Sequence, residues 1–284
     1  MQRGTNDAVT SSPQTVRTNL STIHWSRDGT RVTKRYDPVA NADKLGPRAT
    51  ILDHHYAGSE PWARHFAYEL RVNQLLTRHR PPVPTAALLG HDRKALTLEF
   101  RAVPGHRLGP KFPLTLTSHD LERLITFATA LRSYRRRPRW LRRLPIQRRL
   151  RRAKETGLLS QTEYNALREV AARVPIRWVF AHADVNPSNI VSEDESSFLL
   201  DWEWAGLYPD GYDLAFLWFV LIDLPDARSV VERRIHSDPG AFWLSALLIE
   251  LLHLEWFQGE FRPRHEATRD ALVVKLLDQP PWEG

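Results

Sequence analysis

Cysteine is absent from the chain, which rules out disulfides, a thiol nucleophile and any thiolate metal site. Long apolar runs are missing as well. The longest uncharged one, residues 214–222, falls far short of the roughly 20 residues that a membrane-spanning helix needs. A second, residues 241–257, is interrupted by Glu250, His253 and Glu255. The polar start MQRGTNDAVTSSPQ has no apolar core of the kind a signal peptide carries. These absences predict a soluble cytoplasmic protein with a mobile tail at residues 1–14. Glycine is missing where a phosphate-cradling loop would be sought, since residues 16–21 (VRTNLS) contain none. Lysine is scarce: 34 of the 40 basic residues are arginine.

What remains is enough for a folded protein of two lobes. The chain has 284 residues, 42% hydrophobic and 10% aromatic, a globular composition able to bury a sizeable core. Its net charge of +7 is unevenly spread. Residues 132–152 hold eleven arginines and no acid; without them, 29 basic residues face 33 acidic ones. One basic block on a mildly acidic chain is not a nucleic-acid-binding composition. Residues 184–226 hold ten acids and no Lys or Arg, and residues 245–284 hold seven acids against four bases. Both counts favour a cationic small-molecule partner, and the arginine block opposes one if it borders the cleft.

Residues 178–219 organise the rest. A short apolar run (Trp178, Val179, Phe180, Ala181) reads as a buried strand ending at His182 and Asp184, with Asn189 five residues on. Two further apolar runs around an acidic turn read as a hairpin that delivers Asp201. Two carboxylates and a carboxamide on neighbouring loops suit metal-assisted phosphoryl transfer. Asp184 would accept the proton of a substrate hydroxyl, and Asn189 and Asp201 would hold Mg²⁺ on the nucleotide phosphates.

His182-Ala183-Asp184, the Asp184-to-Asn189 spacing, Asp201-Trp202-Glu203 and Asp213-Leu214-Ala215 resemble the aminoglycoside phosphotransferase and choline kinase group of the protein-kinase-like superfamily. Ala183 departs from the usual glycine, and Asn186 stands where protein kinases place a lysine. The resemblance implies an α+β, bilobal fold: residues 15–103 as a small antiparallel β lobe with one main helix, and residues 104–284 as a larger helical lobe. It also implies ATP as donor, with GTP as an alternative, Mg²⁺, and a small hydroxylated acceptor such as an aminoglycoside-like or nucleoside antibiotic, a sugar or an amino alcohol. The rival readings are a protein kinase and a non-catalytic nucleotide-binding module. Either a monomer or a homodimer is compatible.

The elements around that stretch follow from pattern. Residues 21–27 and 30–36 flank Asp28-Gly29, a hairpin signal, and the two-residue period puts Val32, Lys34 and Tyr36 on one face. An inward lysine needs a partner. Lys34 matches the family's phosphate-holding lysine, with Arg35 the alternative should the register slip. A helix begins near Ser59, where Trp62, Phe66 and Leu70 form a stripe with Glu69 on the same side. Glu69 matches the family's ion-pair partner. Strands follow at 86–90 and 95–100, and Glu99, Phe100 and Arg101 through Gly105 resemble the hinge that offers backbone groups to an adenine edge. Thr117 or Ser118 caps one helix, Ser160 through Glu163 form a capping box, and residues 212–222, 241–257 and 265–278 read as helices. His182 reads as a structural histidine, Asp213 as a helix N-cap and loop anchor, and Glu203 as an exposed acid or a water-mediated Mg²⁺ ligand. The arginine block reads as surface that cannot be core. Three roles compete for it: plain solvation, an acceptor lid, or membrane docking.

Overall fold

The structure, a computed structural model, describes residues 15–17, 21–36, 61–193, 196–236, 238–255 and 261–278. The tail at 1–14, the stretch 38–58 and positions 18–20 of the glycine-free loop lie outside the described residues. The chain divides into two compact units, Met1–Thr77 with Ala86–Val103, and Arg78–Thr85 with Pro104–Gly284.

In the first unit, β1 (Thr15–Arg17), β2 (Ser21–Trp25), β3 (Arg31–Tyr36), β4 (Leu88–Asp92) and β5 (Thr97–Arg101) make an antiparallel sheet ordered β1-β2-β3-β5-β4. Asp28 and Gly29 turn the chain between β2 and β3. Gly29 takes φ +68°, which glycine adopts without a Cβ penalty. The Asp28 carboxylate accepts from Ser26 Oγ (2.6 Å) and the Thr30 N–H (3.1 Å). On β3 the alternation is clear, with Lys34 and Tyr36 buried and Arg35 exposed. Helix α1 (Pro61–His79) buries Phe66, Leu70 and Glu69, and Phe66 meets the Tyr36 ring edge-on. Strands β4 and β5 begin two residues later than the pattern predicts, because the tight turn runs on to Leu96 at φ +50°.

The second unit is mainly helical. Thr117 accepts from the Asp120 N–H at the start of α2 (Ser118–Ala130). After α3 (Ile146–Glu155), Ser160 and Glu163 form the reciprocal capping box of α4 (Gln161–Arg173). Strand β7 (Trp178–Ala181) pairs with β10 (Gly206–Pro209), while β6 (His106–Arg107), β8 (Ile190–Glu193) and β9 (Ser196–Leu199) form a three-stranded sheet. Every residue of α5 (Tyr212–Val220) is buried, and α7 (Pro239–Leu254) is buried over most of its length. Helices apolar on all sides belong in a core. Between them lies α6 (Pro225–Arg233), which the pattern missed because only Val231 is buried. Helix α8 (Phe261–Asp278) completes the unit and starts four residues earlier than the pattern predicts. No helix among the described residues is long and apolar enough to cross a membrane.

In the arginine block the interspersed apolar residues turn inward and no arginine is buried. Leu141, Leu144, Ile146 and Leu150 are buried, while Arg132, Arg142, Arg149 and Arg152 are half-buried and the other arginines exposed. Arg137 donates to the Trp178 carbonyl (2.7 Å), and Arg143 lies 3.7 Å over the Trp178 ring. Arg132 pairs with Asp210 (3.9 Å), Arg152 with Glu255 (3.4 Å). Burial lowers the Arg142 pKa to about 10, against the pull of Tyr208 and Glu203.

Candidate active site

Strand β7 is short, apolar and buried on its last three residues, and it drives the chain directly into the loop at 182–189. At the strand's end Ala183 takes φ +66°, a left-handed conformation that disfavours a Cβ. That angle explains why a glycine is usual there. Asp213 pins the bend: its Oδ2 accepts the His182 N–H (2.9 Å) and its Oδ1 the Ala183 N–H (2.7 Å). Asp213 is not the N-cap of α5. Gly211, at φ +93°, occupies that position, and Asp213 sits inside the first turn with its side chain directed back to the loop. Burial, with Asp184 nearby, pushes its carboxyl up to about 7 against the two amide bonds.

His182 is fully buried and its protonation is set by its partners. Nδ1 accepts the Asp184 N–H (3.2 Å), so Nε2 carries the proton and donates to the Leu200 carbonyl (2.9 Å). Burial lowers its pKa to about 4, which keeps the ring neutral near pH 7. Asn186 builds the next turn. Its Oδ1 accepts from the Ser188 N–H and hydroxyl (2.9 and 2.6 Å), and its Nδ2 donates to the Asp184 carbonyl (2.9 Å). A backbone role thus occupies the position where protein kinases carry a lysine.

That turn delivers Asn189. Its Nδ2 donates to the Asp184 carbonyl (2.9 Å) and to Asp184 Oδ2 (2.8 Å), leaving Oδ1 as the atom not used by Asp184. The Leu200 N–H donates to the Asn189 carbonyl (2.8 Å), so the hairpin end is tied to the loop just before Asp201. Asp201 stands at φ +66°, a region that aspartate tolerates better than most residues. Glu203 follows in a 3₁₀ turn and is buried, so the expectation of an exposed acid is corrected.

A residue that the pattern missed completes this centre. Lys111 lies 2.9 Å from Asp184 Oδ1 and 5.0 Å over the Phe216 ring. Its loop has no periodicity to betray it. The available signal was its identity, one of six lysines in a chain that otherwise uses arginine.

In the first unit Lys34 Nζ is 3.1 Å from Glu69 Oε2, and the pair is buried. Glu99 and Arg101 are strand residues. The Glu99 side chain pairs with Arg31 (3.0 Å), and the Arg101 N–H donates to the Ala87 carbonyl (2.9 Å). Position 99 is flanked by β3 and β4 on either side, which engages its backbone in the sheet.

A family model described as the phosphotransferase enzyme family matches residues 34–277. The chain belongs to that family. Solved structures share its fold at low identity. Choline kinase LicA from Streptococcus pneumoniae is 13% identical at a TM-score of 0.60, with 93% of this chain and 94% of that one covered. A choline/ethanolamine kinase family protein from Mesorhizobium loti is also 13% identical, at a TM-score of 0.59, covering 96% and 90%. The ADP-bound aminoglycoside phosphotransferase APH(2'')-Ib is 11% identical at a TM-score of 0.54, covering 95% of each chain. No curated protein matches the chain. The expected family and the kinase-like α+β fold class both hold for this phosphotransferase.

Proposed function

We propose that this phosphotransferase moves the γ-phosphoryl group of ATP, with GTP as an alternative donor, to a hydroxyl of a small molecule, and that Asp184 receives the hydroxyl proton. The observation carrying this reading is the way Asp184 is held. A neutral histidine fixes its backbone, Asn189 fixes one carboxylate oxygen, and the other is left to a half-exposed lysine. A carboxylate oriented in this manner suits a base within reach of an acceptor hydroxyl.

Among the described residues no three His, Asp or Glu side chains gather into a metal cage. Mg²⁺ suits such a site, because it keeps waters and phosphate oxygens and needs only one or two protein ligands. Asn189, through Oδ1, and Asp201 are the residues that would hold it. When bound, Mg²⁺ supplies charge neutralisation at the phosphates. Lys34, oriented by Glu69, takes the nucleotide phosphates, while His182 and Asp213 keep the loop in shape. The adenine edge falls to backbone groups at the end of β5, in the stretch from Glu99 through Arg101 and beyond.

The deciding experiment is Mg²⁺-dependent ADP release in the presence of aminoglycosides, nucleosides, sugars and choline, with Asp184→Asn as control. Acceptor-stimulated release that the substitution abolishes supports the reading. Stimulated release that persists in Asp184→Asn removes Asp184 as the base.

A further inference from the structure

Residues 184–226, with ten acids and no Lys or Arg, suggest an acidic cleft for a cationic acceptor. In the fold four of those ten acids are committed elsewhere. Asp210 faces Arg132 and Arg177, Asp223 pairs with Arg264, Asp213 holds two loop amides, and Glu203 attracts the half-buried Arg142.

What stands at Asp184 is basic. Asn189 occupies Oδ2, so Oδ1 is the oxygen available to an acceptor hydroxyl, and Lys111 Nζ lies 2.9 Å from that atom. Arg149, on α3, donates to the Tyr212 hydroxyl at 3.4 Å. Tyr212 and Phe216 stand one turn apart on α5, so Arg149 and Lys111 meet the same helix. His253 packs on Phe216, the ring beneath Lys111 (5.9 Å between ring centroids). Lys111 thus stands by the Asp184 carboxylate over Phe216, and Arg149 reaches Tyr212 one turn away on the same helix.

Building on the phosphotransfer reading, we propose that Lys111, seconded by Arg149, forms an anion subsite beside Asp184, so that the acceptor is a hydroxylated carboxylate or phosphate and not a cation. A hydroxyl seated on Oδ1 brings its molecule within about one hydrogen-bond length of the ammonium group. A negative group there is held, and a positive one is repelled. Lys111 is half-exposed on a loop and can pass from Asp184 to the incoming anion without unpacking the core.

Four probes on one carbon skeleton separate the cases: glycerol phosphate, glycerate, glycerol and aminopropanediol, titrated calorimetrically into the full chain at millimolar concentration. The anions should bind at least about tenfold more tightly than the ammonium compound. Lys111→Met should remove that preference, Lys111→Arg should restore most of it, and Arg149→Gln should weaken it less. Whether glycerol phosphate or glycerate leads tells a phosphate acceptor from a carboxylate one. Tighter binding of aminopropanediol, no binding of either anion, or an unchanged anion affinity in Lys111→Met overturns the proposal. Asp184→Asn separates this from the parent reading: anion binding should persist or strengthen there, while ADP release is lost. Anion binding in a chain that never releases ADP would break the phosphotransfer reading alone.

Discussion

Two lysines in this chain are placed almost identically and ask for different explanations. Lys34 lies 3.1 Å from Glu69 and 5.2 Å over the Tyr36 ring; Lys111 lies 2.9 Å from Asp184 and 5.0 Å over the Phe216 ring. The difference is solvent. Side-chain exposure is 7% and 2% for the first pair, and 37% and 16% for the second. A buried pair has already lost its water, so removing one partner strands a charge. A half-exposed pair can exchange its partner for water or a ligand at small cost. The first pair is thus a fixed part of its unit, and the second is a contact made to be traded.

The largest effect should come from breaking the exchangeable pair at its acid. Asp184→Asn removes the proposed proton acceptor and should lower kcat by about 10²–10⁴. Its melting temperature should stay close to that of the parent, because Asn189 and Asn186 still hold the residue 184 carbonyl. A variant that loses activity only because it melts would show that the loop, not the chemistry, depends on this carboxylate.

Breaking the buried pair should show in stability. Lys34→Met leaves Glu69 buried without this countercharge and should cost about 3–5 kcal/mol in urea unfolding. Lys111→Met should cost less than about 1 kcal/mol. Equal losses for the two would mean that solvent exposure does not distinguish them.

These pairs also mark how much could be read from the chain itself. Lys34 and Glu69 sit on regular elements, so a period of two on the strand and the helical stripe on α1 bring them to inward faces. Lys111 lies in a loop between prolines, where no period operates, and its contact with Asp184 spans 73 residues. The Asp184–Asn189 spacing was legible because one Asx turn at Asn186 fills it. Asp213 was half legible: a carboxylate at a helix start usually caps it, but Gly211 holds the N-cap position and the Asp213 side chain turns to the loop amides. Summed charge misled most, since two of the acids of 184–226, Asp210 and Asp223, face arginines distant in sequence and Asp213 turns to backbone amides.

Asp213 offers a pH test of the loop. Its folded pKa, about 7, lies above the usual 3.8, so between those values the native state binds more protons than the unfolded one. The contribution is therefore fully present below about pH 4 and lost as pH rises through about 7. His182, lowered to about 4, acts in the opposite sense, with stability lost as pH falls from about 6.5 toward 4. That effect is common to both chains and cancels in a comparison with Asp213→Asn. The stability difference between parent and Asp213→Asn should shrink by about 2–4 kcal/mol from pH 4 to pH 8, as read from urea unfolding. A pH-independent difference would mean that the two amide bonds hold Asp213 ionised throughout.

The smallest effect belongs to the bend that precedes Asp184. Ala183 is held at φ +66° by the Asp213 carboxylate on its own N–H and on that of His182. A left-handed conformation costs alanine roughly 1–2 kcal/mol, while glycine adopts it freely. Glycine in turn loses more backbone entropy on folding, which returns about 0.5–1 kcal/mol of that gain. Ala183→Gly should therefore stabilise the chain by about 0.5–1 kcal/mol, a rise of about 1–4 °C in Tm for a protein of this size. Because the loop's hydrogen bonds use backbone groups that both residues possess, kcat should change little. A lower Tm would show that the methyl group's packing outweighs the strain. A raised Tm with a fall in kcat would show instead that the strain itself holds Asp184 in position, and that its usual glycine is replaced here for a catalytic reason.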